Sequence, residues 1–259
     1  MSVKEMRDVL PENNAEVPVV PQILTNRAGD FLLASKKLAE MGYREINLNL
    51  GCPSGTVTAK KKGSGFLLYP DDLDHFFDEV FADASVRNGE FQISVKTRIG
   101  KNEVEEWPEI MEVYNRYPIS ELTVHPRIQK EFYKGVPHLD VFADILKESR
   151  NPIVYNGDLF TAEHMKKFRE KFPTVENVMI GRGLIRNPAL AELIKIEEAG
   201  VENAQVCAGT ETGNKETLSE QMEKTVPESR NTGDNLIPRI RAFHDEIFEY
   251  YRETMSGDR

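Results

Sequence analysis

The sequence predicts an α/β fold of the (β/α)8 TIM-barrel type, and three observations carry that prediction. Short β-branched runs alternate with amphipathic helical stretches from about residue 17 to residue 198, an alternation that implies a parallel sheet. Polar or glycine residues recur at the C-terminal ends of the runs. Every run contributes such residues. A closed barrel brings all its strand ends to one face, whereas an open doubly wound sheet gathers ligand residues at one switch point.

The strand runs are 17–24 (VPVVPQIL), 46–50 (INLNL), 91–97 (FQISVKT), 122–125 (LTVH), 152–156 (PIVYN) and 177–180 (NVMI). The helical stretches are about 29–42, 71–86, 104–117, 137–149, 161–171 and 187–198. In the first of these, Phe31, Leu32, Ser35, Leu38 and Ala39 share one side, and Gly42 is placed to end it. Eight strands close a barrel, and the runs number six. The last two runs end in glycine loops, matching the phosphate site usual after strands seven and eight. The chain is therefore expected to lack the first two βα units, since residues 1–16 carry no strand signal. The expected organisation is a partial barrel over 1–198, a linker or disordered insertion over 199–235, and a C-terminal helix in 236–259. Ile237, Ile240, Phe243, Ile247, Phe248 and Tyr251 give that helix one apolar side.

Composition excludes several classes. Of 259 residues, 39% are hydrophobic and 29% charged, which is ordinary for a globular protein. No apolar run is long enough to cross a bilayer, and no secretory signal opens the chain. Only two cysteines occur, Cys52 and Cys207, too few for a disulfide framework and in keeping with a reducing cytoplasm. The net charge of -10 runs against nucleic-acid binding unless a local basic patch exists, and Lys60, Lys61 and Lys62 are the candidate. His75, His138, His164 and His244 lack metal-ligand spacing, so no metal is expected.

The chemistry-bearing residues lie at the strand ends. Cys52 follows a strand directly, between Gly51 and Pro53, in a polar loop that makes a poor core position. Gly63-Ser64-Gly65 lets the chain turn back before the next helix. Lys96 and Arg98 point the same way at period two, and His125 and Arg127 repeat the pattern on the next strand. Cations facing a barrel mouth suit an anionic ligand. Asn156-Gly157-Asp158 and Gly181-Arg182-Gly183 end the last two strands, where small residues let backbone N–H groups approach phosphate oxygens. A phosphorylated cofactor such as FMN suits such loops.

Taken in order, INLNLGCPSGTV with GSGFLL, then SVKTRIG, TVHPR, YNGD and IGRGLI resemble the tRNA-dihydrouridine synthases over residues 17–198. The resemblance implies an FMN-bound barrel that reduces uridines of tRNA to dihydrouridine, with NADPH as electron donor. By motif it implies that Gln22, Lys96, His125, Asn156, Gly157, Asp158, Gly181 and Arg182 contact FMN. It makes Cys52 the catalytic acid and puts Asn49, Arg98 and Arg127 on the substrate side. A thiol is a competent proton donor near neutral pH. The family's opening Ala-Pro-Met strand and most of its tRNA-gripping helical domain have no counterpart in this sequence. Two other classes remain open on the residues: an FMN barrel reductase of free pyrimidines, and a non-catalytic fragment.

Overall fold

Short apolar strands alternate with helices throughout the computed structural model, which describes residues 3–15, 17–208, 238 and 241–249. The order is α1 (Val3–Asp8), β1 (Gln22–Ile23), α2 (Ala28–Glu40), β2 (Glu45–Leu50), α3 (Gly55–Thr58), α4 (Pro70–Ala82), α5 (Ala84–Arg87), β3 (Gln92–Arg98) and α6 (Trp107–Tyr114). It continues with β4 (Leu122–His125), α7 (Leu139–Glu148), β5 (Ile153–Tyr155), α8 (Ala162–Lys171), α9 (Arg182–Arg186) and α10 (Leu190–Ala208). All five strands are parallel, and their spatial order is their sequence order. A sheet that never reverses is wound in one direction, as a barrel is, and has no switch point. The chain is thus an α/β arc of the TIM-barrel type.

The strands differ in length from the sequence expectation for identifiable reasons. The first run shrinks to Gln22–Ile23. Pro18 and Pro21 have no N–H to give to a ladder. The Pro21 carbonyl is still used, accepting from the Asn47 N–H at 2.9 Å. The sixth run survives as one parallel bridge between Tyr155 and Val178, closed by Met179 N–H to Tyr155 O at 2.7 Å. The middle strands pair over their full lengths, with Asn49 beside Lys96 and Arg98 beside His125.

Helices pack on one side of the sheet through aromatic residues. Phe76 meets Phe31, Phe66 and Phe77 edge-on at 5.6–5.9 Å. Tyr114 is fully buried against Phe77 and Trp107. Its hydroxyl lies 2.9 Å from Thr97 Oγ1 on β3, and burial pushes that phenol well above its ordinary range. A second cluster joins Phe142, Tyr155, Phe168 and Phe172, with Tyr155 and Phe168 stacked at 4.1 Å.

The chain divides into two compact units, one of Met1–Asp158 with Lys167–Gly181 and the other of Leu159–Lys166 with Arg182–Arg259. The sheet belongs to the first. In the second, α10 runs to Ala208, ten residues beyond the helix end expected at 198. Its continuation into the expected linker shows that polar composition alone did not stop the helix. The rest of that linker lies outside the described residues. Residues 241–249 are helical, within the expected C-terminal helix, and Phe243 and Phe248 are half-exposed there.

Removing the Tyr114 hydroxyl tests the polar link in the core. Tyr114→Phe leaves Thr97 Oγ1 bonded to the Arg98 carbonyl, so a loss of about 1 kcal/mol is expected in urea unfolding. Phe77→Ala, which empties a fully buried position, is expected to cost about 3–5 kcal/mol in the same measurement.

Candidate active site at the strand ends

The loop after β2 is fixed by its own side chains and by glycine. Asn49 Oδ1 accepts from the Gly51 N–H at 3.0 Å and the Cys52 N–H at 2.9 Å, a local turn of the kind asparagine favours. The Cys52 carbonyl accepts from Ser64 twice, from N–H at 3.1 Å and Oγ at 2.8 Å. Gly63 has φ +55°, and a Cβ there would stand 2.8 Å from the Cys52 oxygen and 2.9 Å from its Cβ. Gln129 Nε2 donates to the Pro53 carbonyl at 3.0 Å. Cys52 is therefore a free, half-buried thiol in a pinned loop.

A row of amides runs beside it across three strands. Gln22 Nε2 donates to Asn47 Oδ1 at 2.7 Å, Asn49 Nδ2 to Gln22 Oε1 at 2.7 Å, and Asn47 Nδ2 to Ser94 Oγ at 2.9 Å. Asn49 thus spends its oxygen on the cysteine loop and its nitrogen on Gln22.

Next come the cations. Lys96, in register with Asn49, has no hydrogen bond or ion pair among the described residues. Burial first, then the Arg98 charge, lowers its pKa to about 8. Arg98 is 1% exposed and gives its donors to three carbonyls: Nε to Gly51 at 3.0 Å, and the terminal nitrogens to Ile128 at 3.0 Å and Phe132 at 2.8 Å. The Tyr133 ring lies 5.4 Å from its guanidinium and also stacks beside His125 at 6.3 Å.

Arg127 is fully buried and grips Asp158 at 2.9 and 2.5 Å and the Gly135 carbonyl at 2.6 Å. Its Nε is buried without a partner. The Asp158 carboxylate holds its pKa up. One terminal nitrogen of Arg127 also donates to His125 Nε2 at 3.2 Å. A guanidinium can only donate, so His125 Nε2 accepts and the ring proton is assigned to Nδ1. The imidazole is correspondingly neutral: burial, then Arg98, Lys96 and Arg127, pulls its pKa down to about 3.

At the next strand end, Asn156 Nδ2 donates to the Met179 carbonyl at 2.8 Å. A Cβ at Gly157 would overlap the Tyr155 hydroxyl, so only glycine fits. Asp158 is committed to Arg127 and offers a phosphate nothing but repulsion. Gly181 has open space around it, while Arg182, in the second unit, lies over the Phe160 ring at 5.2 Å.

Gln22, Asn49, Cys52, Lys96, Arg98, His125, Arg127, Asn156, Gly157 and Asp158 therefore share one set of adjacent strand ends. Gly181 belongs to the same unit, and Arg182 to the other. The sequence reading missed Asn47, Ser94, Gln129 and Tyr133. The first two were findable, since Asn47 alternates with Asn49 and Ser94 with Lys96 at period two. Gln129 and Tyr133 lie in a loop without a pattern.

Three measurements check this electrostatic arrangement. Asp158→Ala leaves Arg127 buried without its anion and is expected to cost about 3 kcal/mol in urea unfolding. The folded His125 stays neutral down to about pH 3, whereas the unfolded chain protonates it below its ordinary 6.5. Stability is therefore whole above pH 6.5 and falls as pH drops from there toward 3, and His125→Asn is expected to flatten that slope. Lys96 works the other way in pH. Its burial cost is fully felt below about pH 8 and fades as pH rises toward 10.5. Lys96→Met is expected to raise the Tm at neutral pH, with the gain vanishing by pH 10.5.

Comparison with known proteins gives the family. The family model described as dihydrouridine synthase (Dus) matches residues 1–245. A probable tRNA-dihydrouridine synthase of Staphylococcus aureus (strain COL) is 32% identical over 192 residues, 72% of this chain and 56% of that protein. A Staphylococcus epidermidis relative of the same name is 30% identical over 191 residues, covering 72% and 56%. Probable tRNA-dihydrouridine synthase 2 of Bacillus subtilis (strain 168) is 30% identical over 178 residues, covering 67% and 53%. The chain spans about half the length of the curated relatives it matches. The match over residues 1–245 places this chain in the dihydrouridine synthase family.

Proposed function

We propose that this chain reduces uridine in tRNA to 5,6-dihydrouridine on an FMN cofactor re-reduced by NADPH, with Cys52 as the proton donor. The observation that carries the reading is a free, half-buried thiol in the pinned loop after β2, with a part-buried Lys96 ammonium on the neighbouring strand that has no anion of its own among the described residues. Burying an unpaired cation costs stability, and a bound anionic group offsets that cost. Lys96 therefore fits an electron-rich flavin ring, and neutral His125 beside it can donate its Nδ1 proton without adding a second buried charge.

By family resemblance, Gln22, Lys96, His125, Asn156, Gly157, Gly181 and Arg182 would hold the cofactor. Asp158 serves it indirectly, as the clamp on Arg127. When bound, FMN would supply a hydride to C6 of the uracil. Cys52 then breaks its S–H bond to deliver a proton to C5, and the thiolate takes a proton back from water. Arg98 and Asn49 are positioning residues, because their polar atoms are spent on the backbone and side chains that shape the cysteine loop. Arg127 likewise sets the loop after β4 through Gly135. The soluble-base alternative predicts turnover of free uracil or uridine in place of tRNA.

The test is direct. The purified chain, loaded with FMN and supplied with NADPH, is incubated with tRNA lacking dihydrouridine, and nucleosides are measured by mass spectrometry. Dihydrouridine in tRNA but not in free uridine is expected. Cys52→Ser is expected to lower the rate by roughly 100-fold or more with flavin content unchanged. Failure to take up FMN, or a Cys52→Ser rate equal to wild type, overturns the reading.

A further inference from the structure

Resting on that reading, we propose that the turn formed by Lys60, Lys61 and Lys62 is a backbone grip for RNA, in which Lys60 and Lys62 hold phosphates flanking the nucleotide presented to Cys52. The chain carries a net charge of -10, so a run of three cations goes against its overall character. None of the three ammonium groups makes an ion pair among the described residues. A merely solvated charge run needs no fixed backbone, yet this one has it. Lys61 holds φ +54°, a conformation a residue with a Cβ adopts only at a cost. It is kept there by Lys61 N–H to Thr58 O at 3.0 Å and Lys62 N–H to Val57 O at 3.2 Å. Asn26 Nδ2 binds the Lys60 carbonyl at 3.3 Å from across the loop.

The same turn is tied to the cysteine. Gly63, next in sequence, lies too close to Cys52 for any side chain, and Ser64 binds the Cys52 carbonyl twice. Gly65 is equally close to Thr58. The lysines and the thiol thus belong to one hydrogen-bonded loop, so a phosphate held by Lys60 and Lys62 would be tied to the segment that carries the thiol. Lys61 has a separate part. Its ammonium sits 4.0 Å over the Tyr69 ring, and it lines a hollow of about 450 Å³ shared with Asp30, Asp72 and Glu79. Those carboxylates repel phosphate, so Lys61 anchors the turn while its neighbours meet the RNA.

The experiment is tRNA binding by fluorescence anisotropy across a salt series, using FMN-loaded wild type, K60A/K62A, K60R/K62R and K37A/K147A. Lys37 and Lys147 are exposed lysines on α2 and α7, far from the loop in sequence, and control for net charge. Wild type is expected to bind with a steep salt dependence. K60A/K62A is expected to bind about tenfold more weakly near physiological salt, with the slope of log K against log salt shallower by about 1–2. K60R/K62R is expected to keep the wild-type slope, and K37A/K147A to keep both slope and affinity. Unchanged slope and affinity in K60A/K62A, beside a wild type that does bind, overturns the grip and leaves the proposed activity standing. An equal loss in K37A/K147A overturns it as a local site. Absence of salt-dependent tRNA binding by wild type overturns both the grip and the tRNA reading.

Discussion

The site depends on one buried guanidinium, Arg98. It stands on the central strand and binds the Gly51 carbonyl on one side and the Ile128 and Phe132 carbonyls on the other. Taking a guanidinium out of water costs several kcal/mol. Three charge-assisted bonds at about 1.5–3 kcal/mol each are enough to offset it. The result is that the loop after β2 and the loop after β4 are registered against each other through a strand lying between them. Cys52 therefore owes its position to a residue it does not touch. Phe132 accepts its bond at φ +51°, an uncommon conformation for a phenylalanine, and the Arg98 bond is one of the contacts that holds it.

Electrostatics follows from the same crowding. Of the cations Lys96, Arg98 and Arg127 at these strand ends, only Arg127 is bound to the Asp158 carboxylate. The local field is positive in a chain whose total charge is negative. His125 pays attention to that field by remaining neutral, and its tautomer follows from the donor it meets at Nε2. A general acidity of the surface keeps polyanions away except where cations are concentrated, so net charge and site charge act together in setting where a polyanion can approach.

The parts legible in the sequence were those with a period. INLNL showed β2, and the alternation in SVKTR showed which side chains face the strand ends. The cysteine between glycine and proline was legible because that setting is poor for a core residue. Less legible were strands whose backbone donors are missing, as in VPVVPQIL, where prolines leave a two-residue strand. Arg98 and Arg127 stand at the strand ends, and several of their partners there are backbone carbonyls, of Gly51, Ile128, Phe132 and Gly135. Carbonyls are the same in every residue, so no side-chain pattern could have announced that these cations hold loops. Asp158 shows the same limit: its motif suggested a phosphate turn, and its geometry makes it the counter-ion of Arg127.

Lys96 gives the strongest reason to regard the strand ends as a binding site rather than a well-packed surface. Every other charged group at these ends has a partner: Arg98 its carbonyls, Arg127 and Asp158 each other. Lys96 has none among the described residues, and partial burial lowers its pKa. A methionine of similar length would fill the space without that cost. Stability at this position is given up for something the folded chain alone does not use, which is the pattern expected where function and stability compete. An anionic partner would restore the balance, while the amides of Gln22, Asn47 and Asn49 beside it are spent on one another, on Ser94 and on the cysteine loop.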